Sequence, residues 1–228
     1  KIILTSVNAI IKKIINKNFL KENIIKISIN ENINFIDLAI KLSLLGFERT
    51  SVVRDKSEFA IRGSIIDIFI PDHEKPLRID FFGNFIETIY SFDPITQKRL
   101  SKIDTSLINI ITSSELILNR QSIEIFRRNF REIFDNYRLS QIYHSFSENI
   151  LPPGGEQFIP LFNDMEIFFS YLDKTTILLC NNFSNLLEIR LENINDFYNA
   201  RKNLNENFFL EPKKLNLTNK EIFINLKK

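Results

Sequence analysis

Tryptophan is absent from this 228-residue chain, cysteine and methionine occur once each, and histidine occurs twice. A single thiol, Cys180, excludes an internal disulfide framework and equally a cysteine zinc cluster. It closes the apolar run that begins at Thr175 and is expected to be a buried strand residue. His73 and His144 are far apart and in no metal-ligand spacing. No apolar run approaches the roughly 18 residues needed to span a bilayer, and no signal peptide is visible. The expected compartment is therefore the cytoplasm, with no membrane partner. The phosphate-cradling loop of nucleotide hydrolases is missing too. The only double glycine, Gly154-Gly155, is followed by Glu156 and Gln157, which cannot serve a nucleotide phosphate. No Ser/His/Asp or Cys/His arrangement has local support. Charge of one sign is also lacking: 30 basic against 28 acidic residues leave a net charge of +2. That excludes a general polyanion binder while leaving room for a local basic patch. The chain is expected to be no enzyme, with no catalytic residue, cofactor or metal of its own.

What is present is a hydrophobic fraction of 44%, ample for a core, and one stretch of strict alternation from Phe47 to Phe92. In EFAIRG, Phe59 and Ile61 point one way, and Glu58, Ala60 and Arg62 the other. In PLRIDFFG, Leu77, Ile79 and Phe81 share one face, and Arg78, Asp80 and Phe82 the opposite face. A period of two marks half-buried strands. Gly63 and Gly83 fall where bulges or turns are needed, and Pro71 and Pro76 bracket a polar connection. The reading is a small antiparallel sheet with a dry face and a wet one. Phe82 does not belong on a wet face. Beside Arg62, Arg78 and Asp80 it gives the composition of a protein-binding hot spot, one exposed cluster. The plainer reading has Phe82 turning inward at a bulge near Gly83 and the arginines merely pairing with carboxylates. Asp67, Asp72, His73 and Asp80 could be assembled on paper into a metal-dependent nuclease, but Asp72 and His73 fall in a turn, where polar residues need no further reason.

Around this sheet the chain alternates helix and strand. A strand is expected over Ile2–Leu4, pairing with another over Thr176–Cys180. Helices are expected from about Val7 to Asn16, from Arg120 to about Tyr137, from Met165 to Leu172 and from about Asn185 to Leu204. Strands are expected over Ile24–Ile29 and in SLINIIT. Asn32 or Asn34 can cap a helix that Gly46 would stop, and Thr218 with Glu221 fits a capping box opening a last helix. Arg127, Arg128 and Arg131 lie off the apolar stripe of their helix; a nucleic-acid surface competes there with an ordinary solvated face. ILPPGGEQFIPLF, from Ile150 to Phe162, reads as a loop. The order of elements suggests a compact sheet module set within part of a larger α/β domain, and the chain as a piece of something longer.

Phe47-Glu48-Arg49, then Phe59-Ala60-Ile61-Arg62-Gly63, a hydrophobic strand, and Arg78-Ile79-Asp80-Phe81-Phe82-Gly83 form a long ordered set. It resembles the module shared by bacterial transcription-repair-coupling factors and UvrB, a component of excinuclease ABC. LPPGGEQFIPLF, with FFSYL after it, is similar to the corresponding segment of the coupling factors rather than of UvrB, although Gly155, Gln157 and Phe158 replace the usual Ile, Tyr and Trp. A fragment of UvrB, a damage-recognition and loading protein, is the alternative. The resemblance implies a mixed α+β and α/β fold, in which a small antiparallel-sheet module (22–112) is inserted into part of a degenerate RecA-like lobe (1–21 and 113–228). It implies docking of UvrA, another component of excinuclease ABC, through Arg49, Arg62, Arg78, Asp80 and Phe82, Arg49 being named by the resemblance alone. Ala60 stands where UvrB often carries a further arginine. The parent is implied to be an ATP-driven DNA translocase acting on RNA polymerase and double-stranded DNA, with ATP and magnesium in motor domains outside this chain.

Overall fold

The computed structural model describes residues 2–104, 107–172, 176–204 and 208–226. The chain folds as two units, Asn18–Asn119 and Lys1–Lys17 together with Arg120–Lys228. In chain order the first elements are α1 (Val7–Ile10), β1 (Lys13–Ile15), α2 (Lys17–Glu22), β2 (Ile25–Ile27), α3 (Phe35–Leu44), β3 (Glu48–Arg49) and β4 (Glu58–Arg62). There follow β5 (Ile65–Ile68), β6 (Leu77–Phe82), β7 (Phe85–Phe92), β8 (Arg99–Lys102), β9 (Ile108–Ile110), α4 (Arg120–Ile133) and α5 (Gln141–Ser147). Last come β10 (Met165–Ile167), α6 (Phe183–Asn203), α7 (Pro212–Leu215) and α8 (Asn219–Leu226), with 3-10 turns at Tyr137–Leu139, Gly155–Leu161 and Phe168–Tyr171.

The Asn18–Asn119 unit is built on a six-stranded sheet in sequence order from β3 to β8. It is antiparallel except at its edge, where β3 runs parallel to β4. The expectation of a purely antiparallel module is corrected at that edge. Gly63 and Gly83 each open a two-residue turn with φ of 60° and 61°. That left-handed geometry at the first turn position suits the twist of a tight hairpin. The alternation resolves as read: Leu77, Ile79 and Phe81 are buried, and with Ile66, Ile68 and Ile89 they face Leu38 and Leu42 of α3. Each such side chain stabilises the fold by about 1.5–3 kcal/mol on burial.

The ends of α3 follow from its sequence. Asn34 Oδ1 accepts from the Ile36 and Asp37 N–H groups at 2.9 and 3.1 Å. At the other end Gly46 takes φ 86°. The Gly46 N–H reaches the Ser43 carbonyl at 3.1 Å and the Phe47 N–H reaches that of Leu42, also at 3.1 Å. This is the paired closure that a left-handed residue permits, and Leu42 and Phe47 both enter the core. Thr112 Oγ1 and the Ser113 N–H both donate to the Leu45 carbonyl, fastening the end of the unit to the end of α3. A separate pair, β2 with β9, is antiparallel.

In the second unit α4 carries Phe126 and Phe130 into an aromatic group with Tyr143, Phe146, Phe158 and Phe162. Ile10, Ile11, Phe183, Leu187, Leu217 and Ile222 form another core. The capping box is present: the Thr218 N–H donates to Glu221 Oε2 at 2.7 Å, and the Glu221 N–H to Thr218 Oγ1 at 3.3 Å. Several expected elements differ. Ile2–Leu4 is not a strand, and Ile2 and Leu4 are 88% and 93% exposed. Residues 176–180 form none either, and Cys180 is exposed. Thr175, at the start of that apolar run, lies outside the described residues, as does Ser106 of SLINIIT. The sheet pairing of this unit is instead β1 with β10, antiparallel. Both of those segments had the look of helices, since short apolar runs carry too few turns for period to decide between helix and strand. Strand pairing then claimed the β-branched residues of KII and MEI.

Candidate docking site

Register places Arg62, Arg78, Asp80 and Phe82, but not Arg49, on the face of the sheet opposite α3. One cross-strand row runs Ala60, Asp67, Arg78, Tyr90 and Lys102. The next runs Arg62, Ile65, Asp80 and Thr88. Side chains in such rows stand close enough to touch. The face is not uniformly wet. Val53, Ala60, Phe69 and Phe92 form a small buried apolar group on it. Two loops close over this group: Gln97 Nε2, in the turn after β7, donates to the Val53 carbonyl at 2.9 Å. Ala60 is therefore part of a miniature second core and presents almost nothing to solvent.

Asp67 is the centre of the site. It is 0% exposed, and a buried carboxylate is tolerated only when paired and hydrogen-bonded. Arg78 supplies both: Nε donates to Oδ1 at 2.7 Å and Nη2 to Oδ2 at 2.9 Å. Arg62 donates to the same Oδ2 from the neighbouring strand. Arg78 also donates through Nη1 to the Gln97 carbonyl at 3.3 Å and stacks over the Phe92 ring at 4.7 Å. Its hydrogen bond to Asp67 raises its pKa above the ordinary arginine value against the opposing effect of burial, with the charges of Asp67 and Asp80 adding.

A second limb lies beside the first. Arg99 of β8 reaches across Tyr90, its guanidinium 4.7 Å from the ring centroid, to Asp80 Oδ2 at 2.7 Å. Thr88 Oγ1 donates to that oxygen at 3.2 Å, while Asp80 Oδ1 is shielded from solvent and without a partner among the described residues. Phe82 stands at the tip of the β6–β7 hairpin opposite Phe85, and the two are 77% and 50% exposed.

The structure thus brings Arg62, Arg78 and Asp80 onto one face with Phe82, but not as one exposed cluster. The Arg62 side chain is 43% exposed, whereas those of Arg78 and Asp80 are 11% and 16% exposed. Phe82 does not turn inward; the bulge lies on β7, where the register shifts at Asp80 and Phe81 without inverting β6. Arg49 is exposed on the two-residue edge strand β3 and pairs in register with Phe59, which belongs to the buried face, so it stands apart from the network. Two members of this network were not placed with Arg62, Arg78 and Asp80 from the sequence, Asp67 and Arg99. An aspartate inside the apolar run IIDIFI is the available signal for the first, because a charge there must find a partner. Arg99 gives no signal, since its meeting with Asp80 depends on the bulged register of β7 and β8.

Of the three arginines singled out on α4, Arg128 is exposed and the other two bond locally. Arg127 bonds the Ser147 hydroxyl and carbonyl at 3.0 and 2.8 Å, closing the end of α5, and Arg131 Nε donates to the Arg127 carbonyl at 2.9 Å. In the Gly154-Gly155 segment a 3-10 turn buries Gly155, Phe158, Ile159 and Leu161. Among the described residues no helix is long and apolar enough to cross a membrane.

Residues 25–115, which contain this sheet and its arginine–carboxylate network, match the family described as the UvrB interaction domain. The unit is a protein-interaction domain of that type. The chain is 30% identical over 181 residues to the transcription-repair-coupling factor of Haemophilus influenzae, covering 78% of this chain and 16% of that protein. It is 31% identical over 231 aligned residues to that of Rickettsia conorii, covering 97% and 20% respectively. With the factor of Borreliella burgdorferi it shares 34% identity over 134 residues, 58% of this chain and 12% of the relative. The chain is similar to the transcription-repair-coupling factors over most of its own length, and it spans at most a fifth of the length of these relatives.

Proposed function

We propose that the Asn18–Asn119 unit docks the excinuclease component UvrA and so recruits nucleotide excision repair to DNA at a stalled RNA polymerase. The observation that carries this reading is Phe82, 77% exposed on a sheet face where the rings of Phe69 and Phe92 are buried. A solvent-facing aromatic beside a fixed arginine network is the composition of an interface anchor. The match to the UvrB interaction domain supports a docking role. The relationship to coupling factors supports a place for that role in transcription-coupled repair. Of the residues the resemblance names, Arg49, Arg62 and Phe82 are the exposed contacts, with Phe82 as the apolar anchor, while Arg78 and Asp80, 11% and 16% exposed, hold the surface from beneath.

In the parent polypeptide the docking module, about 22–112, is inserted into a degenerate RecA-like lobe made of 1–21 and 113–228. The parent is a cytoplasmic ATP-dependent DNA translocase whose motor domains hold ATP and magnesium and act on double-stranded DNA and RNA polymerase. This segment contributes recruitment and no chemistry. Titration of the chain with purified UvrA tests the reading: saturable binding supports it, and no binding at micromolar concentrations overturns it.

A further inference from the structure

The sheet face carries a line of alternating charges: Arg62 on Asp67, Asp67 on Arg78, and Arg99 on Asp80. Three guanidinium groups meet two carboxylates, a surplus of one positive charge. Burial decides where that surplus shows. Arg78 is enclosed, with Nε, Nη1 and Nη2 all engaged inside the unit. Arg62 and Arg99 leave 43% and 45% of their side chains to solvent. Each of these two is anchored from behind by a carboxylate, and Arg99 is further seated on the Tyr90 ring. An anchored guanidinium has already lost much of the side-chain freedom that docking would otherwise cost. Its remaining N–H groups suit a second carboxylate, for which the planar fork is shaped.

We infer that Arg99 is a docking residue of this surface, and that the partner's matching face carries carboxylates for Arg62 and Arg99 beside an apolar recess for Phe82. Arg78, Asp67 and Asp80 then act as positioning residues, holding the two outward arginines in place. The inference rests on the docking reading above and adds to it both a residue and the chemistry of the partner surface. Phe85, half exposed opposite Phe82, widens the apolar part of the same footprint.

The test is calorimetric titration of the intact chain with UvrA at low and at moderate salt, for wild type, Arg99→Ala, Arg99→Lys and Phe82→Ala. Arg99→Ala should bind about tenfold more weakly at low salt and show a shallower salt dependence, because one charge-assisted contact is gone. Arg99→Lys keeps a cation for Asp80 but loses the fork, and should bind several-fold more weakly with the wild-type melting temperature. A merely structural arginine would move the melting temperature and leave the salt slope alone. Wild-type affinity and salt slope in both Arg99 variants, with Phe82→Ala impaired, would overturn this inference and leave the docking reading standing. No binding by the wild-type chain would overturn the docking reading, and the inference with it.

Discussion

Arg78 grips both oxygens of Asp67, with Nε on Oδ1 at 2.7 Å and Nη2 on Oδ2 at 2.9 Å, and the carboxylate has no exposed surface. Removing the anion would strand a mostly buried cation. Asp67→Ala should therefore cost about 3–5 kcal/mol of folding stability, the range for breaking a buried pair from one side. Arg62→Ala, which removes a 43%-exposed partner of the same carboxylate, should cost about 1 kcal/mol or less. Urea denaturation of the two variants checks the contrast; equal losses would contradict it.

Two glycines with left-handed φ, Gly46 at 86° and Gly63 at 60°, should respond differently to alanine. A Cβ at Gly63 would meet nothing within 4 Å, so Gly63→Ala pays only for its left-handed φ, about 1–2 kcal/mol. A Cβ at Gly46 would stand 2.4 Å from Ser114 Cβ, and Ser114 belongs to the segment fastened on the end of α3. Gly46→Ala should therefore lose clearly more stability than Gly63→Ala in parallel thermal melts.

The turn that carries Gln97 to Arg78 has an acid limit. Asp93 accepts from the Thr96 N–H and hydroxyl and from the Ile95 N–H, and these bonds, the Thr96 N–H first, hold its pKa below the usual carboxylate value, with Lys75 adding. A folded pKa below the unfolded one contributes stability above the unfolded value, about 3.9, and that contribution is lost as pH falls through the folded value. The wild type should melt above Asp93→Asn at pH 6, and the gap should close as the pH falls below about 4. A gap that persists at pH 2 would assign it to geometry rather than to charge.

Gly155 sits under the aromatic group of the second unit. An added Cβ there would lie 2.7 Å from Phe146 Cζ and 3.0 Å from Leu151 Cδ1, and Phe146 is itself fully buried. Gly155→Ala should destabilise by about 1–3 kcal/mol through overpacking. It should leave binding to UvrA unchanged if docking belongs to the sheet unit.

The parts of the fold that local chemistry determines were legible. Asn34 and Gly46 delimit α3, Thr218 and Glu221 open α8, and the alternation of LRIDFF separates core from surface. Phe82 could be singled out because alternation alone puts it on the outer face. What depends on register was not legible. Asp67 meets Arg62 and Arg78 only because β5 lies between β4 and β6, and Arg99 meets Asp80 only across the bulged β7–β8 pair. The expectation of four exposed residues failed for Arg78 and Asp80 for the same reason: pairing across strands drew them inward. Ile2–Leu4 and residues 176–180 show the opposite limit, since β-branched and apolar residues favour a strand but cannot supply its partner.

If Phe82 anchors a docking surface, its loss should weaken binding and leave the fold intact. The most direct measurement is the affinity of Phe82→Ala for UvrA, taken with its melting temperature. Truncating a central aromatic anchor should cost about 2 kcal/mol or more, a loss of roughly thirtyfold in affinity. Replacing a residue that is 77% exposed should shift folding stability by no more than about 0.5 kcal/mol. Weakened binding with an unchanged melting temperature is the predicted result. Wild-type affinity in Phe82→Ala would contradict the account.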